Sequence, residues 1–326
     1  MSLPKTTDAA AKQILDSTRV YREYARAKRE AERYQGSIFW KKVGAYEYLA
    51  QKVQGKVTYS GARSPETERE FKEFKQRQDA LKQRLRKLKL SVESCQRLNK
   101  AVRAGAVPTS VVDVLRRLEE AGLSEASVVL GTPALFAYGQ PAGVRLEEVS
   151  SPAHGNVVEE AKHHLQVLVH ASESAVQAAL PSLKDDVDLC VAHAGGGGER
   201  TYYLFEFKFH SKHAAQKCIA KDAHWRTVAT EMAQSLEHAG KFEQVVIGKT
   251  GAMATMRTLD PKFFALVNQT AVKVRSASLP DPELLEWQAA LVESLISDDL
   301  LIPKLPEAES RRAASKIEEL VFKADR

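Results

Sequence analysis

Residues 128–138 read Val128-Val129-Leu130-Gly131-Thr132-Pro133-Ala134-Leu135-Phe136-Ala137-Tyr138. The apolar run at the start predicts a buried strand, and the glycine that follows it marks a turn into a helix. Glycine lets a phosphate approach the backbone, Thr132 offers a hydroxyl, and the start of a helix presents free N–H groups to an anion. We therefore predict that Gly131 and Thr132 form a phosphate-binding turn.

Further strands and helices around this turn set the fold class. Runs rich in β-branched and aromatic residues predict strands at 127–130, 165–169, 187–191, 202–209 and 244–247. Helical patterns lie between them at 172–180 and 212–239, and again from residue 261 onward. We predict an α+β fold with a small mixed sheet at 126–250, a helical N-terminal domain at 1–125 and a helical C-terminal domain at 251–326.

The N-terminal region has the pattern of long charged helices. Residues 8–104 are predicted to be helical with one interruption near 55–65, after which Ser64 and Pro65 mark a new helix start. Tyr46, Tyr48 and Leu49 continue an aromatic patch in this region. We expect this patch to pack in the core rather than to stack on bases.

Basic residues are concentrated in one short segment. The chain has 48 Lys and Arg residues against 42 Asp and Glu residues, a net charge of +6. Five basic residues fall within eight positions, at Lys82, Arg84, Arg86, Lys87 and Lys89. Such a face can hold nucleic acid through its phosphates, although a solvated helix face is the commoner reason for a charge run. Residues 82–89 are therefore a candidate surface for a nucleic-acid or protein acceptor.

Several classes of protein are excluded by what the sequence lacks. No apolar run approaches the ~18 residues needed to span a bilayer, and residues 1–5 lack the apolar core of a signal peptide. We expect no membrane contact and a cytoplasmic location. The run of glycines at 195–198 lacks the Lys-Ser or Lys-Thr of a phosphate loop, and the histidines show no regular metal-ligand spacing.

Three acidic residues on two predicted neighbouring strands indicate a metal-dependent reaction. Asp186 and Asp188 are two positions apart, so their side chains share one face of a strand, and Glu206 lies on the next strand. A hard cation such as Mg²⁺ relieves the repulsion between such carboxylates and leaves room for substrate phosphates. The pattern predicts a Mg²⁺ site for phosphoryl transfer, and the alternative is a hairpin whose outer face is acidic.

Further blocks occur in a fixed order around the Gly-Thr turn. They are Gly36-Ser37-Ile38-Phe39-Trp40-Lys41, Arg63-Ser64-Pro65-Glu66-Thr67-Glu68, Ala142-Gly143-Val144-Arg145-Leu146, Val245-Val246-Ile247-Gly248 and Asp260-Pro261-Lys262-Phe263-Phe264-Ala265-Leu266. Together with the turn, they make residues 10–300 similar to a bacterial family of nucleotidyltransferase-fold proteins. In that family a basic helical region precedes a minimal domain similar to DNA polymerase beta.

The resemblance implies a site with three elements. A Gly-Ser or Gly-Thr turn holds the triphosphate of an NTP, an Asp-x-Asp pair on the next strand binds two Mg²⁺ ions, and a third carboxylate follows on a later strand. Gly131 and Thr132 match the first element, and Glu206 falls where the third carboxylate belongs.

The chain departs from this pattern at two places. The strand at the Asp-x-Asp place carries His164 and Gln166, which cannot supply the negative charge that two Mg²⁺ ions require. Asp186 and Asp188 would take that role only if the chain carries an insertion relative to the family pattern. Asn268 stands where the family favours a lysine that binds phosphate. These departures allow a divergent or catalytically degenerate member of the family.

A second chemistry fits some of the same residues. Asp188, followed by Glu206-Phe207-Lys208, resembles the Asp and Glu-x-Lys pattern of restriction-enzyme-like nucleases, in which the lysine polarises the attacking water. Three functions stay open. We favour a nucleotidyltransferase that moves an NMP from an NTP to an unknown acceptor with Mg²⁺. The alternatives are a non-catalytic nucleotide- or nucleic-acid-binding module and a Mg²⁺-dependent nuclease that uses Asp188, Glu206 and Lys208.

Overall fold

A computed structural model describes the chain at residues 3–53, 55–151, 155–184, 188–193, 201–209, 241–274, 282–304, 308–309, 311–312 and 315. The chain divides into two compact units. We call Leu15–Arg97 the N-terminal unit, and Met1–Ile14 together with Leu98–Arg326 the sheet unit. The α+β class predicted from the sequence is confirmed, and the predicted domain boundaries at 125 and 250 stay predictions.

The N-terminal unit combines long helices with a small antiparallel sheet. In chain order its elements are α1 (Asp8–Glu32), β1 (Ser37–Val43), β2 (Tyr46–Val53), β3 (Lys56–Ala62) and α2 (Pro65–Ala101), where the ends of α1 and α2 extend beyond the unit. The sheet has the order β1-β2-β3. Helix α2 begins at Pro65 as predicted, and the Ser64 hydroxyl accepts a hydrogen bond from the Thr67 N–H at 3.3 Å.

The prediction that residues 8–104 are helical apart from 55–65 is wrong for β1 and β2. These segments are short, separated by glycine, and rich in β-branched and aromatic residues, which favours strands. One sheet face packs on α2, where the ring centroids of Trp40 and Phe71 are 5.9 Å apart. The expected core position is correct for Leu49, which is fully buried, and wrong for Tyr46, which is 66% exposed.

The sheet unit is built around a six-stranded mixed sheet. Its elements are α3 (Thr109–Glu120), β4 (Ser127–Leu130), α4 (Leu135–Gly139), β5 (Ser150–Ser151), β6 (Gly155–Asn156), α5 (Val157–Ala161), β7 (His164–Ala171), α6 (Glu173–Leu183), β8 (Asp188–His193), β9 (Thr201–Lys208), β10 (Lys241–Ile247), β11 (Met253–Leu259), α7 (Pro261–Val274) and α8 (Pro282–Ser297). The strand order is β10-β11-β4-β7-β9-β8, and among these described strands β11 and β4 pair in parallel while the other neighbours are antiparallel.

The core of the sheet unit follows from strand alternation. Leu165 and Val167 of β7 lie opposite Phe207 and Phe205 of β9, and all four side chains are fully buried. The predicted strands match β4, β7, β8, β9 and β10, whereas β11 was not predicted and continues the sheet beyond residue 250. The helix predicted at 212–239 lies outside the described residues. No helix in the described part of the chain is long and apolar enough to cross a membrane.

The outer edge of β10 is covered by a side chain and by a backbone segment. The Gln140 side chain donates to the Val245 carbonyl at 2.5 Å and accepts from the Ile247 N–H at 3.2 Å. The backbone N–H of Val107 donates to the Ile247 carbonyl at 3.2 Å, and the Val107 carbonyl accepts from the Lys249 N–H at 3.1 Å. The amide of Gln140 therefore bonds to β10 much as a neighbouring strand would.

Candidate functional site

The Gly-Thr turn follows directly from the end of a buried strand. Gly131 comes after β4 with φ +67° and ψ −155°, a conformation that residues with a side chain rarely adopt. A Cβ atom placed on Gly131 would meet no atom within 4 Å, so the space beside its Cα is open. The helical segment that follows has only five residues in α4. Because α4 is so short, its N-terminus is a weak anion site. The open space beside the Gly131 backbone is the feature that could admit a phosphate.

Thr132 is held by a chain of buried amides. Its hydroxyl accepts a hydrogen bond from Gln288 Nε2 at 2.9 Å, and Gln288 Oε1 accepts one from Asn268 Nδ2 at 3.1 Å. All three residues are buried. Asn268, which stands where the resemblance implies a phosphate-binding lysine, therefore supports Gln288 and through it the turn. The Thr132 hydroxyl keeps its own hydrogen for donation.

Tyr138 anchors the short helix after the turn. Its phenol donates to the Leu259 carbonyl at 2.8 Å and lies 3.2 Å from the Thr258 hydroxyl, which donates to the Val129 carbonyl at 3.0 Å. Burial raises the pKa of Tyr138 well above its usual value, so the phenol stays protonated and can donate. These bonds join α4 to β4 and β11 and fix the position at which Gly131 leaves the sheet.

One row of residues runs from the turn across three further strands. Leu130, the residue before Gly131, lies opposite Gln166 of β7, which lies opposite Glu206 of β9. Cys190 of β8 continues the row on the far side of Glu206. Side chains opposite one another in an antiparallel pair share a face. Gln166 and Glu206 are therefore direct neighbours on the sheet face that also carries the Leu130 side chain. Glu206 is only 2% exposed.

A second row lies on the same face, two residues further toward the end where β4 stops. His164 of β7 lies opposite Lys208 of β9, and Lys208 lies opposite Asp188 of β8. Asp188 is exposed, and it is a diagonal neighbour of Glu206. Diagonal neighbours in an antiparallel pair have Cα atoms roughly 7–8 Å apart, which lets their side chains reach a shared ion.

The strand order decides which predicted residues come together. Glu206 lies two strands from β4, roughly 10 Å at the usual strand spacing, whereas Asp188 lies on the edge strand β8, one strand further away. The predicted set of Asp188, Glu206 and Lys208 therefore shares a face, and Glu206 and Lys208 lie one strand nearer the Gly131 turn than Asp188 does. Asp186 lies outside the described residues.

The buried amide of Gln166 has an unmet hydrogen bond. Gln166 is 6% exposed, and its Nε2 atom has no hydrogen-bond partner among the described residues. An unpaired buried donor costs about 1–3 kcal/mol, so its retention suggests that a ligand supplies the acceptor. Sequence reasoning noted only that Gln166 lacks charge, and it missed the donor that this amide supplies.

Replacing each of two buried glutamines by leucine should change stability in opposite directions. Gln166→Leu removes an unpaired donor and should raise the free energy of unfolding by about 1 kcal/mol. Gln288→Leu leaves Thr132 and Asn268 without their partner and should lower it by about 2 kcal/mol. Urea denaturation at an unchanged m-value measures both. A loss of stability in Gln166→Leu as large as that in Gln288→Leu would contradict the unmet donor.

The described side chains do not include a cluster of three or more metal ligands. In the described part of the chain, no group of three or more His, Cys, Asp or Glu side chains is placed to hold a metal ion.

Gln288 was not predicted, although a single glutamine among the apolar residues of α8 was a signal that could have identified it.

Comparison with known proteins identifies one family. A family model described as nucleotidyltransferase matches residues 109–310, which is more than half of the chain and includes both rows and the Gly131 turn. No curated protein matches the chain, and no solved structure matches it.

Proposed function

Because the chain belongs to this nucleotidyltransferase family, we propose that it transfers a nucleoside monophosphate from an NTP to an acceptor with Mg²⁺. In this reaction an acceptor hydroxyl attacks the α-phosphorus. A new oxygen–phosphorus bond forms, the bond to the bridging oxygen breaks, and pyrophosphate leaves. The hydroxyl proton passes to solvent or to a neighbouring base.

The observation that carries the proposal is the row from Leu130 through Gln166 to Glu206. It places an open glycine backbone, an unpaired amide donor and a buried carboxylate on adjacent strands. A triphosphate that starts at Gly131 would lie along this row. Gly131 admits the phosphates, Thr132 offers its hydroxyl hydrogen, and Gln166 donates to a phosphate oxygen.

Carboxylates of the same face fit a Mg²⁺ ion. Mg²⁺ is usually held by one or two carboxylates together with substrate phosphates and water, which matches Glu206 with its diagonal neighbour Asp188. Asp186 is the third proposed ligand. When bound, Mg²⁺ would neutralise the phosphates and stabilise the charge that develops in the transition state. His164 and Gln166 bring no negative charge, so we propose a smaller metal set than the resemblance implies.

The acceptor is proposed to be a nucleic acid or a protein that binds the basic segment of α2 at 82–89. Lys82, Arg84, Arg86, Lys87 and Lys89 are all exposed on α2. Arg86, Lys87 and Lys89 have no carboxylate partner among the described residues, so their charges are available to an acidic or phosphate-bearing partner.

A direct assay tests the proposal. The protein is incubated with Mg²⁺ and each of the four NTPs labelled at the α-phosphate, with RNA, DNA or protein as acceptor. Label on an acceptor together with released pyrophosphate, both lost without Mg²⁺, is the expected result. Stabilisation by NTP without transfer of label to any acceptor would instead support the non-catalytic binding module.

A nuclease is the second candidate, because Asp188, Glu206 and Lys208 share one sheet face and Lys208 lies directly opposite Asp188. In a nuclease the Lys208 ammonium would act at the scissile phosphate. A transferase that uses the row from Leu130 through Gln166 to Glu206 does not require Lys208.

The substitution Lys208→Met separates the two candidates. It keeps the side-chain length and removes the charge, so we expect transfer of label to stay within about twofold of wild type. In a nuclease, Mg²⁺-dependent cleavage of RNA or DNA would fall at least tenfold, about 1.4 kcal/mol of transition-state stabilisation. Lys208→Arg is the matched control that keeps the charge. Cleavage by wild type that is lost in Lys208→Met and kept in Lys208→Arg would favour the nuclease.

A further inference from the structure

We propose that the outer face of the three-stranded sheet in the N-terminal unit binds single-stranded nucleic acid. The outer face consists of Phe39, Lys41 and Val43 from β1, Tyr46, Tyr48 and Lys52 from β2, and Val57 and Tyr59 from β3. This surface is separate from the basic helix at 82–89. The binding goes beyond the proposed transfer reaction and would stand without it.

Strand register places these side chains on one face. Lys41 lies opposite Tyr48, and Val43 lies opposite Tyr46. The rings of Tyr48 and Tyr59 meet edge to face with centroids 6.5 Å apart, so the two tyrosines share that face. The opposite face carries Trp40, which packs against Phe71 of α2, so the outer face is the one turned away from this helix.

Two of the four aromatic residues of the outer face are exposed to solvent, and the other two, Phe39 and Tyr48, are half-buried. Tyr46 is 66% exposed and Tyr59 is 51% exposed, and the apolar Val43 beside them is 50% exposed. Large aromatic residues are usually buried, so two exposed tyrosines beside an exposed valine on one sheet face indicate a binding surface. Aromatic side chains on a sheet stack on the bases of a single strand, with little preference for sequence because every base has a flat face.

The charge of this face fits a phosphate backbone. Lys41 and Lys52 are exposed, and Lys41 Nζ lies 2.6 Å from the Tyr59 hydroxyl, next to the rings. The three strands contain one acidic residue, Glu47, which lies on the inner face and pairs with Arg63 at 2.6 Å. Lysines among aromatic rings, without a carboxylate, suit a ligand that carries both phosphates and bases.

The whole N-terminal unit is basic. Between Leu15 and Arg97 there are 21 Lys and Arg residues and 11 Asp and Glu residues, a net charge of +10, against +6 for the entire chain. The remaining residues therefore carry a net charge of −4. Positive charge concentrated on one unit is the electrostatic feature expected of a nucleic-acid-binding region. Because a duplex hides the faces of its bases, the tyrosines favour a single strand as the ligand.

Fluorescence anisotropy of the full-length protein tests the proposal. The probes are fluorescein-labelled oligo-U RNA and oligo-dT DNA of about 20 nucleotides, long enough for several stacked bases, and a duplex of equal length. We expect both single strands to bind more tightly than the duplex. Affinity should fall as salt rises from about 50 to 200 mM, since phosphate contacts release counterions. Tighter binding of RNA would show that the 2′-hydroxyl is read, and equal binding would show that stacking and phosphates suffice.

The variant Tyr46→Ala with Tyr59→Ala should weaken binding of single strands at least tenfold, because two stacking rings are lost. Leu90→Ala on α2 is the control, since Leu90 is also 66% exposed in the same basic unit and should leave the affinity unchanged. Circular dichroism checks that both variants fold like wild type. The proposal is overturned if wild type binds neither single strand at low salt, or if the tyrosine variant binds single strands as tightly as wild type. An absence of NTP transfer would not affect it.

Discussion

Glu206→Gln is expected to reduce Mg²⁺-dependent transfer of a nucleotide about 10³-fold, close to 4 kcal/mol of transition-state stabilisation. The change keeps the shape of the side chain and removes the charge that would hold the metal ion in the row that starts at Leu130. The other residues of its row, Leu130, Gln166 and Cys190, carry no carboxylate that could replace it. The measurement is label transfer from an α-labelled NTP at saturating NTP, repeated over a range of Mg²⁺ concentrations.

Glu243→Gln provides the matched control. Glu243 lies on β10 at the opposite edge of the sheet, where it pairs with Arg257 at 2.6 Å. The same chemical change there should leave transfer at the wild-type rate. Undiminished transfer in Glu206→Gln would place the metal site on other residues.

Gly131→Ala is expected to abolish stabilisation by NTP. A ligand present at about 100 times its Kd stabilises a folded protein by about 2.7 kcal/mol, and wild type should show this gain. In the variant, the new methyl group would occupy the open space beside the Cα, and the positive φ would strain the turn that receives the phosphates. The shift in melting temperature on addition of NTP and Mg²⁺ measures the effect.

Gly122→Ala controls for the cost of the backbone change. Gly122 follows α3 with φ +72° and likewise has no atom within 4 Å of a built Cβ. Its variant should lose some intrinsic stability and yet keep the full NTP shift. If Gly131→Ala also keeps the full shift, the phosphates do not bind at this turn.

Most strands of the sheet unit could be predicted because their own residues favour a strand. The runs at β4, β7, β9 and β10 are apolar and rich in β-branched or aromatic residues, so their pattern was sufficient. β11 reads Met253-Ala254-Thr255-Met256-Arg257-Thr258-Leu259 and has weak strand propensity of its own. It is a strand because it lies between β10 and β4, a tertiary effect that local pattern does not contain.

The candidate site shows the same division between local and long-range information. The turn at Gly131 and Thr132 could be predicted because a strand, a glycine and a helix start follow one another in the sequence, and their binding of phosphate stays a prediction. The strand of Asp188 was predicted to lie next to that of Glu206, but the neighbour on the other side could not be predicted, because β9 lies between β7 and β8 although β8 comes first in the chain. That order places Gln166 opposite Glu206 and moves Asp188 to the edge strand. The link from Asn268 through Gln288 to Thr132 joins residues up to 156 positions apart, which no spacing rule would predict.

The amide of Gln140 also bears on how copies of this protein avoid one another. β10 ends in the apolar run Val245-Val246-Ile247, and an open edge of that kind can pair with the same edge of another molecule and begin aggregation. Gln140 occupies the Val245 carbonyl and the Ile247 N–H, and Val107 occupies the next carbonyl, so an incoming strand finds these groups already bonded. A single side chain directly after a short helix thus helps to keep a concentrated solution of the protein from forming intermolecular sheets.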